Sequence, residues 1–83
     1  MDMPLYYFDI KNQGHLFRDV YGADCDDDDD ARTHAVALLP DIAGEDLPAG
    51  DQHEIVAIVR NETGSIVYEA TLALSGRWWP ERL

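Results

Sequence analysis

Asp24-Cys25-Asp26-Asp27-Asp28-Asp29-Asp30, together with the segment 31–43 that follows it, decides the fold of this 83-residue chain. After the acidic run, apolar residues recur at helical spacing, which predicts one long helix; they are Ala31, Ala35, Leu38, Leu39 and Ile42. Aspartate is a strong N-cap, and negative charge suits the positive end of the helix dipole. We therefore interpret the acidic run as the helix start, with Asp27 as the cap and Asp30 in the capping-box position.

The far end of this helix is set by two prolines. Pro40 removes a backbone hydrogen bond and clashes with the preceding turn, yet the apolar spacing resumes at Ile42. Pro48 then ends the pattern. The sequence predicts a helix over about residues 27–46, kinked near Pro40. Near its start, Arg32 is spaced to pair with Asp28 or Asp29.

Strand-like segments flank the helix on both sides. Residues 5–11 and 16–19, joined by the turn 12–14, form one predicted hairpin; residues 54–60 and 65–75, joined by the turn 61–64, form the other. In the first strand, Tyr6, Phe8 and Ile10 are predicted to face the core, while Asp9 faces solvent. The order β-β-α-β-β predicts an α+β fold, with a four-stranded, mainly antiparallel sheet and the helix on one face. We expect one domain over residues 1–76 and a tail over 77–83.

The charge of the chain limits its partners. Seventeen acidic residues against six basic ones give a net charge of −11, which argues against nucleic acid and against anionic membrane surfaces. No apolar stretch is long enough for a membrane span, and the N-terminus does not resemble a signal peptide. A single cysteine, Cys25, excludes an intrachain disulfide. These features predict a cytoplasmic protein.

No catalytic constellation stands out along the chain. The three histidines lack metal-ligand spacing, and the glycines form no phosphate-binding loop. The aspartates around Cys25 are expected to raise its pKa and suppress the reactive thiolate. We therefore expect a protein that is not an enzyme and needs no cofactor.

The opening Met3-Pro4-Leu5-Tyr6-Tyr7-Phe8-Asp9 resembles that of small alpha-proteobacterial proteins, domain-of-unknown-function family 6894, whose members often begin Met-Pro-x-Tyr-Tyr-Phe-Asp. The resemblance continues in an Arg-Asp…Gly element, an Ala-Arg-x-x-Ala helix signature and two later segments; the matching positions are Arg18, Asp19, Gly22, Ala31, Arg32, Ala35, 39–43 and 59–64. The chain departs from the family at Cys25 and Asp28, where larger apolar residues are expected. The resemblance implies this fold and a bacterial cytosol, and it assigns no functional residue.

A second likeness is to HicB-like antitoxins, which also open with an aromatic hairpin and pass a glycine before an alanine-rich helix. Here the matching residues are Tyr6, Tyr7, Gly22 and the Ala31…Ala35 pair. No basic DNA-binding segment follows. The likeness implies a binding-partner role only.

The acidic run is the one candidate metal site. Clustered carboxylates can hold Ca²⁺ or Mg²⁺ through oxygen ligands, and the candidate ligands are Asp24, Asp26, Asp28 and Asp29. The spacing does not match an EF-hand, because its glycine and glutamate positions fall on Asp or Ala. The alternative is a solvated helix start, which is what such charge runs usually are.

Candidate partner-binding residues lie on the predicted sheet and in the tail. Both faces of the third strand are apolar, so Val56 and Ile58 lie on a face that the helix does not cover. Trp78 and Trp79 either fold back over that face or bind a partner. We expect an interaction or adaptor domain that binds a protein partner or forms a homodimer. The alternatives are an antitoxin-like module with a basic partner and a weak divalent-cation-binding protein.

Overall fold

The computed structural model describes residues 4–46 and 50–80. The elements in chain order are β1 (Leu5–Asn12), β2 (His15–Phe17), β3 (Ala23–Asp24), α1 (Asp28–Asp46), β4 (Gln52–Arg60) and β5 (Ile66–Ser75). This confirms the predicted α+β fold, with a two-residue strand, β3, added before the helix. Met3 of the family-like opening, Pro48, which was predicted to end the helix pattern, and the last three tail residues lie outside the described part.

The sheet is open and every strand pair in it is antiparallel. Its order is β2-β1-β4-β5, and β3 also pairs with β1. The two hairpins are therefore joined through β1 and β4, which form the centre. On the outer side of β1, β2 pairs with residues 10–12 and β3 with residues 5–6. Three residues of β1, 7–9, face a gap between these two short strands.

The predicted turns form by the expected chemistry. Gln13 and Gly14 take positive φ values of 54° and 80° between β1 and β2, as a tight two-residue hairpin requires. In the second hairpin, the side-chain oxygen of Asn61 accepts the backbone N–H groups of Thr63 and Ser65 at 3.1 and 3.0 Å. These turns fix the register of the strands that they join.

The helix covers one face of the sheet with small residues. Ala31, Ala35 and Leu39 are buried on α1, as the apolar spacing predicts. They complete a core whose other members come from β1, β4 and the helix entrance: Tyr6, Phe8, Ile55, Ala57, Val59 and Cys25. Burying each large apolar side chain contributes about 1.5–3 kcal/mol. The helix is continuous through Pro40, and the kink near Pro40 stays a prediction.

The helix start confirms the predicted cap. Asp27 Oδ1 accepts the N–H of Asp30 at 2.8 Å. The carboxylate of Asp30 accepts the N–H of Asp26 at 2.9 Å, one residue before the position that an ordinary capping box uses. The last turn of the helix contains no basic residue. In the described part of the chain, no helix is long and apolar enough to cross a membrane.

One predicted exposure is wrong. Asp9 was expected to face solvent, and its side chain does lie on the face of β1 away from the helix, yet it is only 4% exposed. It is buried there because a guanidinium from β4 and the loop after β2 cover it, and this arrangement is central to the candidate site.

Candidate functional site

Asp9, which is buried, and Arg60, which is half-buried, form an ion pair on the face of the sheet away from the helix. Arg60 donates to Asp9 through Nε at 2.7 Å and through a terminal nitrogen at 3.0 Å. The guanidinium also lies over the ring of Tyr7, with Cζ 4.9 Å from the ring centroid. Tyr7 and Arg60 are paired residues on neighbouring strands, so the sheet register itself brings these groups together. A two-bond contact of this kind is among the stronger charged interactions.

Asp19 closes the gap between β2 and β3. Its carboxylate accepts the N–H groups of Phe8, Tyr21 and Gly22, each at 3.1 Å. Its own backbone joins the ion pair, since its N–H donates to Asp9 at 2.9 Å and its carbonyl accepts from Arg60 at 3.2 Å. A side chain thus satisfies the Phe8 N–H, which neither short strand pairs. We call Asp9, Asp19 and Arg60 the edge cluster, and the outer side of β1 the closed edge.

Gly22 lets the chain pass close to β1. Its φ is +74°, a left-handed conformation that favours glycine. A Cβ added there would lie 2.9 Å from the carbonyl oxygen of Tyr6 and 3.1 Å from the side chain of Leu5. Any larger residue would therefore push β3 away from β1 and open the closed edge.

Hydrogen bonds lower the pKa of both carboxylates in the edge cluster, although these two like charges repel each other. The hydrogen bonds from Arg60 lower the pKa of Asp9 below its usual range, against the opposing effect of burial. Burial acts to raise the pKa of Asp19, but its three backbone N–H donors outweigh that effect and the net direction is down. Both carboxylates are therefore held ionised. The polar atoms of the edge cluster bond to one another and to the nearby backbone. The cluster therefore has a structural role, which is to hold β4 and the loop after β2 against β1.

The opposite side of the sheet is built differently. β5 runs for ten residues and pairs with β4, and in residues 4–46 and 50–80 no strand pairs with its other side. Glu69 is the one charged residue in the strand, which contains no lysine and no proline. Native edge strands usually carry such residues, or are very short, to prevent pairing with other chains. We call this unpaired side of β5 the open edge.

Apolar side chains accompany the open edge on the helix side. Leu72 and Leu74 are 39% and 42% exposed, and Val36 of the helix is 45% exposed. A cavity of about 170 Å³ separates the end of α1 from the end of the β4–β5 hairpin; its lining includes Ala43, His53, Ile55, Leu72 and Leu74. Among the described residues, His53 Nε2 is buried without a hydrogen-bond partner. The core is therefore incompletely covered next to the open edge.

The predicted partner-binding residues lie in two places. Val56 and Ile58 are half-buried on the β4 face away from the helix. Trp78 and Trp79 follow β5 and are 82% and 68% exposed, so they do not fold back over that face. The guanidinium of Arg77 lies over the ring of Trp79 at 4.8 Å. Partner binding by these four residues stays a prediction.

The acidic run is occupied mainly with helix-start contacts. Asp28 accepts the hydroxyl hydrogen of Tyr6 at 2.6 Å, a bond that, together with burial, raises the pKa of Tyr6 to about 12. Oδ1 of Asp29 lies 3.6 Å from a terminal guanidinium nitrogen of Arg32, the pairing that the spacing predicted. Asp24 and Asp26 are exposed. In the described residues, no group of three or more His, Cys, Asp or Glu side chains is arranged to hold a metal ion, and the cation site stays a prediction.

Cys25 is buried at the helix entrance. Its burial, followed by the charges of Asp30 and other neighbouring aspartates, raises the pKa of its thiol, which is the predicted direction. A thiol with a raised pKa is a poor nucleophile at neutral pH. Cys25 is therefore a small member of the core.

Sequence reasoning missed the edge cluster. Asp9 and Arg60 are 51 positions apart, and a single sequence does not show which strands are neighbours. One signal was available, because Arg18-Asp19 with Gly22 matches the Arg-Asp…Gly element of the family resemblance. In the structure, that element supplies Asp19 and Gly22 to the closed edge.

The fold and its two edges define a small acidic α+β domain with an open antiparallel sheet. The chain belongs to a family described as Domain of unknown function (DUF6894), whose sequence model matches residues 5–73. Neither a curated protein nor a solved structure matches the chain. The matched range contains the whole edge cluster and most of β5.

Proposed function

We propose that this protein is a non-enzymatic interaction domain that receives an extended strand of a protein partner on the open edge of β5. The observation that carries this proposal is the contrast in protection between the two sides of one sheet. An added strand would gain main-chain hydrogen bonds along β5, and its side chains would gain contact with the apolar surface beside it.

The surroundings of the open edge support a protein ligand. The inward side chains of an added strand would lie beside Leu72, Leu74 and Val36, which are apolar and exposed. Specific interfaces combine such an apolar centre with aromatic residues, and Trp78 and Trp79 continue from the end of β5. A strand partner accounts for all of these features together.

Photo-crosslinking in the native cell tests this proposal. A photoreactive amino acid is placed at Ala73 on β5 and, as the matched control, at Leu16 on β2, which is also exposed. We expect adducts, with this chain or with another protein, from position 73 and far fewer from position 16. Equal adduct yields at the two positions, or none at position 73, would contradict the proposal.

A second candidate function rests on the exposed acids at the start of the helix. Asp24 and Asp26 are exposed next to Asp27, and the chain has a net charge of −11. A basic protein partner, as in an antitoxin-like module, would bind here by charge attraction. Its binding would fall steeply with added salt and would weaken in an Asp24→Asn/Asp26→Asn variant. Binding that is unchanged by both would exclude this surface.

A further inference from the structure

We infer that the strand received on the open edge is β5 of a second copy of this chain, paired antiparallel about a twofold axis at Ala73. This inference rests on the proposed function and names the partner. It follows from the hydrogen-bond direction of β5, from the sequence of residues 67–79 and from the distribution of charge.

The first step is the direction of the backbone groups. β5 pairs with β4 in a regular register from Gln52↔Ser75 to Val59↔Tyr68, and the N–H of Gly76 continues that ladder to the carbonyl of Asp51 at 2.6 Å. In an antiparallel strand, the N–H and C=O of one residue point to the same side, and those of the next residue point to the other. The groups of residues 69, 71, 73 and 75 therefore point to the open edge.

The second step is the register. A twofold axis at an outward-pointing residue sets that residue opposite its own copy in a hydrogen-bonded pair. Among the outward-pointing residues, Ala73 gives a chemically complementary arrangement. It places Glu69 opposite Arg77 of the second copy and Tyr68 opposite Trp78 of the second copy. The remaining pairs are Thr71 with Ser75, Leu72 with Leu74 and Ala70 with Gly76.

These pairs are the kinds that stabilise antiparallel sheets. Opposite charges and aromatic pairs directly across two strands are favourable, and like charges are unfavourable. An axis at Thr71 would instead place Glu69 opposite Ala73 and leave both charges of each copy unpaired. The chemistry of the strand thus selects Ala73 over the neighbouring register.

The tail would extend the strand in the dimer. β5 ends at Ser75, and the N–H of Gly76 continues its ladder to the carbonyl of Asp51. When residues 77–79 continue as strand, Arg77 lies on the same face as Glu69, because alternate residues of a strand share one face, and its register partner requires this. Trp78 is 82% exposed in the single copy and would be covered by Tyr68 of the second copy.

Local charge favours a contact at this edge. Each copy carries a net charge of −11, so two copies repel at most orientations. Residues 66–79 contain one acid and one base and are neutral as a segment. Asp29 of the acidic run approaches β5 through Arg32, whose guanidinium lies 3.6 Å from the Asp29 carboxylate and 5.8 Å from the centroid of the Tyr68 ring. The acid is therefore paired with a base where the helix start meets β5.

The test uses charge reversal on the full chain, with association followed by analytical ultracentrifugation. Glu69→Arg and Arg77→Glu each place two like-charge pairs in the dimer, and we expect each to weaken association by roughly tenfold. Mixing the two variants restores both opposite pairs, so the mixture associates as the unchanged chain does. The double variant, which swaps the charges within one copy, is also restored.

The outcomes separate the two proposals. A chain that stays monomeric at all concentrations, or variants that weaken without recovery on mixing, would overturn this inference. Crosslinks from position 73 to a different protein would then leave the proposed function standing, whereas no crosslink would overturn both. Circular dichroism and the unfolding midpoint of each variant confirm that the variants remain folded. A shift of tryptophan emission to shorter wavelength with concentration gives an independent readout of Trp78 burial.

Discussion

In the described part of the chain, the outer side of β1 is covered by two short strands and a carboxylate, whereas the outer side of β5 has no strand paired with it. At the closed edge, two short strands and the carboxylate of Asp19 satisfy β1 along its length. At the open edge, ten residues of β5 have no covering strand in residues 4–46 and 50–80. This difference between the two sides of the sheet is the basis of the proposed strand-binding role of β5.

The two edges also depend on different features of the sequence. The closed edge depends on charged residues that must meet in three dimensions, with Arg60 held against Asp9 from the neighbouring strand. The open edge depends on the near-absence of charge in a continuous segment. Changes at the closed edge should therefore alter stability, and changes at the open edge should alter association.

Breaking the ion pair of the closed edge should have the largest effect. Arg60→Met leaves Asp9 charged and buried, because the Asp9 side chain is only 6% exposed. Removal of one partner of a buried pair costs about 3–5 kcal/mol of unfolding free energy, measured by urea denaturation. The matched control is Asp9→Leu/Arg60→Met, which removes both charges and should recover much of the loss. A loss under about 1 kcal/mol for the single variant would show that the pair does not hold the edge.

Forcing the closed edge apart without touching a charge should have the next largest effect. Gly22→Ala places a Cβ 2.9 Å from the Tyr6 carbonyl oxygen at a φ of +74°, and we expect a loss of about 1–3 kcal/mol. Gly44→Ala is the control, because a Cβ at this helical position would meet none of the described residues within 4 Å. It should stabilise by about 0.5–1 kcal/mol. Equal unfolding midpoints for both variants would contradict this account of β3.

The pH dependence of stability should separate the closed edge from the helix start. The pKa values of Asp9 and Asp19 are lowered on folding, so their contribution is complete above the ordinary aspartate pKa of about 3.9 and is lost as pH falls below it. The pKa of Tyr6 is raised to about 12. Its contribution is therefore complete below the ordinary tyrosine pKa of about 10 and is lost as pH rises toward the folded value.

Unfolding midpoints measured across pH test both ends of this profile. Tyr6→Phe keeps the ring but removes the hydroxyl that donates to Asp28, so it should flatten the alkaline limb and leave the acidic limb unchanged. A variant that retains the full alkaline loss would show that another group causes it.

A change at the open edge should have the smallest effect on stability. Thr71 is exposed, and Thr71→Lys should change the unfolding free energy by less than about 0.5 kcal/mol, while lysine on an edge strand blocks pairing with another strand. We expect nearly unchanged urea unfolding of the single copy and a marked loss of association. Unfolding that is weakened as much as by Gly22→Ala would show that the open edge is part of the fold's own support.

Local signals predicted most of the architecture. The apolar spacing after the acidic run placed the helix within one residue of its start and at its observed end, because the cap and the periodicity are both local. The second hairpin was equally readable from the turn at Asn61. The position of Asp9 was not, because a charged residue is expected to face solvent unless a partner is known. Its partner lies 51 positions away, and no local pattern shows that β1 and β4 are neighbours.

The open edge was visible in the sequence only in part. The two adjacent tryptophans of the tail and an apolar third strand indicated a candidate contact surface, but which strand lies at the edge depends on the sheet order. That order places β5 outermost. The lack of net charge in residues 66–79 then becomes relevant to pairing with another strand.

Asp19 also sets an order in which the sheet can assemble. Its contact with Phe8 closes a loop of 11 positions, whereas the contact of Arg60 with Asp9 closes one of 51. The shorter loop loses less chain entropy on closing, by about 1.4 kcal/mol. Residues 5–24 should therefore fold first. The outer side of β1 is then already covered when β4 pairs with its other side. β1 then offers an incoming strand a single free side, so the growing sheet extends in one direction only, toward β4 and finally β5.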